Sequence, residues 1–162
     1  MQLEGSCHCG AVHFSCESRA PYPFMYCYCS TCRKTGGGGG YAINLHADTE
    51  SLKIQGEENI SIYHAFMDHP TREQRSQAER RFCKHCASVL WLWDPDWPEL
   101  IHPFASAIDT ELGQPPERNH IMLDYKPSWV AVPPDDDKDH HFSEYPDEAL
   151  IDWHRRHGLA DE

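Results

Sequence analysis

The stretch CYCSTCRKTGGGGG, from Cys27 to Gly40, places three cysteines within six residues and follows them with five glycines. Cys7 and Cys9 form a C-x-C, and Cys83 and Cys86 form a C-x-x-C. Only Cys16 stands apart. Thiols grouped this tightly point to shared metal coordination rather than long-range bridges. The start, MQLEGSCHCG, has neither a basic nor an apolar leader segment, so disulfides are the less expected use and the cytoplasm is the expected compartment. Burial as small hydrophobes would explain Cys16 but not the clustering of the other seven.

Structural zinc sites are closed and four-coordinate, whereas catalytic sites keep one position free. Cys7, Cys9, Cys83 and Cys86 together supply four thiolates, enough to close a structural zinc site. Such a site would tie the N-terminal segment to a distant strand and contribute about 10 kcal/mol or more of apparent folding free energy. Cys27, Cys29 and Cys32 remain, three ligands that can converge from one tight loop on a second, open zinc. The competing reading closes that site with one of the 12 histidines. His8 and His85 lie between ligands of the first site; His140, His141, His154 and His157 lie in the polar tail. No other histidine has ligand-like spacing to Cys32. His46, His64 and His102 read as ordinary strand or loop residues, and no general acid or base is assigned.

Zinc lowers the pKa of what it binds and generates a thiolate or hydroxide near neutral pH. Three thiolates leave the zinc unit with a charge of −1, which suits a soft incoming thiol better than the making of hydroxide. The expected chemistry is therefore that of sulfur. Arg33 and Lys34 add positive charge beside the cluster, and Gly37 and Gly38 would let a ligand approach the backbone or offer N–H groups to an anion. A tripeptide thiol with two carboxylates would fit. A flexible loop between strands explains the glycines equally well. The run is not a P-loop, because the required lysine and hydroxyl residue do not follow it.

Short strands must position these groups. In AVHFSC, Val12, Phe14 and Cys16 alternate with polar residues, so Cys16 reads as a core thiol. YPFMYCYC leads into the second cysteine group, and YAINLH reads as a strand beyond the glycines. SLKIQG and NISIYHAF read as a strand pair around a turn at Gly56–Asn59. In MDHPTREQRSQAERR, Thr71 and Gln74 suggest a capped short helix, with a loop or an extended lead-in as alternatives. The knuckle of RFCKHCASVLWLWD opens an apolar strand in which Val89, Trp91 and Trp93 share one face. PFASAID, HIMLD and SWVAV are further strand candidates, and PDEALIDWHRRHG reads as an amphipathic helix stopped by Gly158. This pattern predicts a mainly β protein with small helical additions.

The chain has 162 residues and a net charge of −12, the size of one domain. Zinc bound by seven thiolates would leave that charge more negative still, which argues against a nucleic-acid partner. No apolar run is long enough to span a bilayer, so no membrane partner is expected. A homodimer is compatible with this composition.

In order and spacing, GSCHCGAVHF, CYCSTCRKTG and RFCKHCAS resemble the glutathione-dependent formaldehyde-activating enzyme family, which includes the centromere protein V-like domains. The motifs span about Gly5 to Ala107, and KPSWV and FSEYPDEALIDWHRRHGL look like the C-terminal part of bacterial members. The resemblance implies a β-tent fold of small antiparallel sheets around zinc, with a short C-terminal helix. Residues 1–132 would form the zinc-binding domain, and residues 133–162 an acidic linker and helical appendage packed on it. The resemblance also implies a structural zinc on Cys7, Cys9, Cys83 and Cys86, and a catalytic, exchangeable zinc on Cys27, Cys29 and Cys32 where glutathione binds. The implied reaction joins glutathione to formaldehyde, or reverses that step as a carbon–sulfur lyase. A non-catalytic zinc module that binds thiols or a protein is the alternative. The chain departs from the family at Ala87, where many members have glycine, and in the length of its glycine run.

Overall fold

The computed structural model describes residues 1–67, 71 and 73–160. Among the described residues, three small sheets and two short α-helices, with four 3-10 turns, make up a mainly β architecture. The first sheet joins β1 (Gln2–Ser6), β2 (His13–Glu17) and β6 (Lys53–Gln55) in antiparallel order. The second is antiparallel throughout, with β5 (Ala47–Asp48), β10 (Leu100–Pro103), β9 (Val89–Trp93), β8 (Glu79–Cys83) and β7 (Ile60–Tyr63) side by side. The third runs β12 (Asp139–His141), β11 (Arg118–Ile121), β3 (Met25–Cys27) and β4 (Ala42–Ile43). In it, β11 pairs in parallel with both β12 and β3. Helix α1 spans Ser30–Thr35 and α2 spans Leu150–Arg156. No helix of the described residues is long and apolar enough to cross a membrane.

The main core gathers Leu3, Val12, Phe14, Cys16, Leu90 and Trp91. The alternation of Val12, Phe14 and Cys16 thus turns all three inward, and burial pushes the Cys16 thiol up to about 12. A second, smaller core packs Cys27, Cys32, Phe104 and Ile121, with Val89 against it. Strand β9 reaches both. Along β9 the partner of β8 jumps from Trp91 to Val89, a bulge that leaves Leu90 unpaired. Leu90 and Trp91 both enter the main core, while Val89 faces the smaller one. The expected common face of Val89 and Trp91 is lost to that bulge.

Other local expectations give way to long-range pairing. SLKIQG and NISIYHAF are not partners: β6 joins β2, and β7 joins β8. PFASAID contributes a 3-10 turn at Ala105–Ala107, and residues 128–132 form no strand, although Val130 is buried. Part of MDHPTREQRSQAERR lies outside the described residues. Its described part is not helical: Arg75 bridges Phe66 antiparallel, and Arg75 then leads toward β8. Helix α2 docks through Trp153, whose ring stacks on Phe24 at 3.7 Å between centroids and 7° between planes.

Candidate metal centres and an adjoining cleft

Cys7, Cys9, Cys83 and Cys86 bring their sulfurs within 4.8 Å of one another. Cys7 and Cys9 Sγ lie 3.6 Å apart, and Cys9 and Cys83 Sγ 3.8 Å apart. All eight cysteines are free thiols. A tetrahedral ion with metal–sulfur bonds of about 2.3 Å separates its sulfurs by about 3.8 Å, close to these two separations, so this donor set suits such an ion.

Two turns build the group. After Cys7, the Gly10 amide donates to the Cys7 carbonyl at 2.9 Å and the Val12 amide to Cys7 Sγ at 3.3 Å. After Cys83, the Ala87 amide donates to the Cys83 carbonyl at 2.8 Å, with Ala87 in the left-handed region at φ 59°. Ser88 Oγ joins the two turns: it accepts from the His8 amide at 3.1 Å and lies 3.3 Å from Cys86 Sγ. That contact lowers the Cys86 thiol to about 5. His85 turns away and bonds Asn59 Oδ1 through Nε2 at 2.8 Å.

Cys27, Cys29 and Cys32 form the second group, also within 4.8 Å of one another, and among the described residues no histidine or carboxylate joins it. Cys27 ends β3, Cys29 caps α1, and Cys32 lies one turn into that helix with its amide donating to Cys29 Sγ at 3.3 Å. The helical turn puts Cys29 and Cys32 on one side. Between them and Cys27, Tyr28 is anchored the other way. Its hydroxyl donates to His120 Nδ1 at 2.8 Å; His120 Nε2 donates to Asp139 at 2.8 Å, and Arg118 closes on Asp139 at 2.6 Å. Burial holds His120 below the ordinary histidine range despite the pull of Asp139. Hydrogen bonds from Cys27 and Cys32 lower Cys29, and the same Cys29 and Cys32 contacts raise Cys27.

Arg80 supplies the charge that faces this group. Its Nη1 and Nη2 lie 3.9 and 3.8 Å from Cys32 Sγ, and Asn44 Nδ2 lies 4.0 Å from the same sulfur. Neither residue stood out in the sequence. Arg80 was nonetheless findable there, since strand alternation turns it away from Cys83, three residues on, and so toward the opposite face of the sheet.

Cys29 opens on a cleft of about 980 Å³ that Arg33, Lys34, Arg75 and Arg80 also line. The described ion pairs occupy Arg19, Arg81, Arg118, Arg155 and Arg156 and none of these four cations. Gly37 and Gly38 line an adjoining pocket of about 720 Å³ with Cys7 and Ser88, and Arg33 and Lys34 border both spaces. Three of the glycines have a steric reason, Gly36 because a Cβ there would lie 2.9 Å from Val89 Cγ2. A Cβ at Gly37 would lie 2.0 Å from the Tyr41 carbonyl oxygen, and Gly40 takes φ +89° against Val130. Gly38 faces open space. His46, buried, and His102, half-buried, belong to neither cysteine group and lie 6.5 Å apart between ring centroids, and His102 Nδ1 bonds the Leu45 carbonyl at 3.0 Å.

A model of the family described as glutathione-dependent formaldehyde-activating enzyme matches residues 2–123. A Halomonas elongata protein, provisionally named a glutathione-dependent formaldehyde-activating enzyme, is 56% identical over 161 residues, covering 99% of each chain. An uncharacterized lyase of Schizosaccharomyces pombe is 29% identical over 90 residues, 56% of each chain. A crystal structure of a Rhodobacter sphaeroides protein superposes with a TM-score of 0.51 at 27% identity, covering 68% of this chain and 90% of that one.

Proposed function

The chain belongs to the glutathione-dependent formaldehyde-activating enzyme family, and on that premise we propose that it is a zinc-dependent carbon–sulfur lyase or synthase acting on glutathione or a similar anionic thiol. The observation that carries the reading is a three-thiol group, with no fourth ligand among the described residues, beside a cleft whose lining includes Arg33, Lys34, Arg75 and Arg80, none of them ion-paired among the described residues, together with Asp94 and Asp96. Cys7, Cys9, Cys83 and Cys86 would hold a structural zinc, and Cys27, Cys29 and Cys32 a catalytic one. The catalytic ion, when bound, supplies a positive centre that favours the thiolate form of an incoming thiol.

The protein groups do the rest. Arg33, Lys34 and Arg75 meet the carboxylates of the thiol, which would otherwise be repelled by a chain of net charge −12. Arg80 offsets the negative charge that accumulates when a further thiolate approaches Cys32. Tyr28, held by His120, keeps Cys27 and Cys29 aimed at one point. The thiol gives its proton to water, its sulfur attacks the carbonyl carbon, a carbon–sulfur bond forms, and the carbonyl π pair passes to oxygen, which takes a proton back from water. The lyase direction reverses each of these changes. The expected setting is the cytoplasm, with residues 1–132 as the zinc-binding unit and 133–162 packed on it.

Metal analysis of wild type and Cys29→Ser tests the reading. Wild type is expected to hold two zinc ions per chain and to turn over a glutathione–aldehyde adduct. Cys29→Ser should keep the fold and one zinc and lose turnover by at least about a hundredfold, the scale of a lost catalytic metal ligand. A two-zinc wild type that neither binds glutathione nor turns over any adduct would favour a purely architectural module and sink the proposal.

A further inference from the structure

The walls of the cleft are more apolar than formaldehyde requires. Seven large hydrophobic residues are exposed among the described ones, and four of them, Met67 (69%), Trp97 (55%), Tyr125 (50%) and Tyr145 (69%), line the cleft that contains Cys29. Scattered exposed apolar side chains need no explanation, but a group of them around one concavity marks a binding surface. They come from separate parts of the chain: the segments after β7, β9 and β11, and the one ahead of α2. The fold brings them together. The wall also carries Met122 in the left-handed region at φ 61°, a conformation that costs a residue other than glycine free energy.

The cations nearest the thiols have another origin, while Asp94 and Asp96 share the segment of Trp97. Arg33 and Lys34 sit on α1 with the thiols, and Arg80 on β8 reaches Cys32. A ligand that satisfies both sets has an anionic, sulfur-bearing part and an apolar part. Glutathione meets the first requirement and has little to offer the second. Formaldehyde, with two heavy atoms and no hydrocarbon surface, adds nothing to it. A cleft of about 980 Å³ is at the upper end of the range for sites that enclose drug-sized ligands.

We propose that the electrophile handled here is larger than formaldehyde, a carbonyl compound bearing an aromatic or long apolar group, with that group lying against Trp97, Tyr125 and Tyr145. The proposal rests on the thiol-binding reading of the preceding subsection. The same addition applies, with the thiol proton passing to water, sulfur bonding to the carbonyl carbon and a proton returning from water to the oxygen, so no further reactant is needed.

Two stable thioethers, S-methylglutathione and S-benzylglutathione, separate the contributions. Their binding to the zinc-loaded full chain is measured by calorimetry, beside glutathione itself. S-benzylglutathione is expected to bind about tenfold or more tightly than S-methylglutathione, the order set by moving a phenyl group from water onto an apolar wall. Trp97→Ala and Tyr145→Ala should each bring that ratio toward one. The glutathione–benzaldehyde hemithioacetal should likewise exceed the formaldehyde adduct in kcat/KM. Glutathione binding with equal affinity for the two thioethers would overturn this inference while leaving the thiol site intact. Failure of all three to bind would overturn both. A stable dimer in light scattering that Trp97→Ala dissociates would assign the aromatic wall to a second copy of the chain, and overturn the inference too.

Discussion

At the scale of single residues, Arg80 stands out because both guanidinium Nη atoms converge on one sulfur. Hydrogen bonds to a charged partner contribute about 1.5–3 kcal/mol, and they withdraw electron density from the thiolate that receives them. Without Arg80, a further anionic thiol would meet the three-thiolate group with less compensation. Arg80→Met is expected to weaken glutathione binding about tenfold or more in calorimetry, and Arg80→Lys to lose less, with zinc content unchanged in both. Equal affinities in wild type and Arg80→Met would remove the residue from the site. Lys cannot reproduce the fork geometry, which is why the two variants should differ.

At the scale of elements, the Cys83–Ser88 turn carries a cost that the rest of the fold tolerates. Ala87 is exposed and sits at φ 59°. Holding a residue other than glycine there costs about 1–2 kcal/mol, while glycine gives back part of that in unfolded-chain entropy. Ala87→Gly should therefore stabilise the zinc-loaded protein by about 0.5–1 kcal/mol, read as a rise in Tm of about 1–4 °C. A fall in Tm would mean that the methyl group has a role the turn geometry does not reveal. The same turn matters to function only indirectly. It fixes the spacing of Cys83 and Cys86, and β8, which ends at Cys83, presents Arg80 to the other group.

At the scale of the whole molecule, Glu117 ties the C-terminal helix to the third sheet. Its Oε1 accepts from Trp153 Nε1 at 2.9 Å, Arg156 Nη2 at 2.6 Å and His157 Nε2 at 2.9 Å, and His140 Nε2 lies 3.2 Å from Oε2. Burial alone would raise this carboxyl; the His157, Arg156 and His140 hydrogen bonds outweigh it and lower it to about 2. A depressed carboxyl contributes stability that is complete above its unfolded value near 4.5 and is lost as pH falls toward 2. Acidification should thus loosen α2 across that window, with loss of the near-ultraviolet dichroism of Trp153. Glu117→Gln should lower stability by about 2 kcal/mol at pH 7, and the gap from wild type should close as pH falls from 4.5 to 2. A gap that stays constant with pH would contradict the charge as its source.

The sequence by itself determined which thiols could meet, because C-x-C, C-x-x-C and C-x-C-x-x-C set ligand directions within a single turn. It likewise determined the inward run of Val12, Phe14 and Cys16 and the amphipathic tail helix, whose periods are local. Only the tertiary structure decided how the strands pair. Alternation reveals which residues share a face, but neither which sheet the strand joins nor where a bulge reverses the pattern. Hence β6 and β7 part company, Val89 turns from Trp91, and Gly37 and Gly38 face the pocket beside Cys7. The Tyr28–His120–Asp139 chain and the aromatic wall of the cleft were equally hidden. Each joins segments tens of residues apart, and no local spacing records a contact made by long-range pairing.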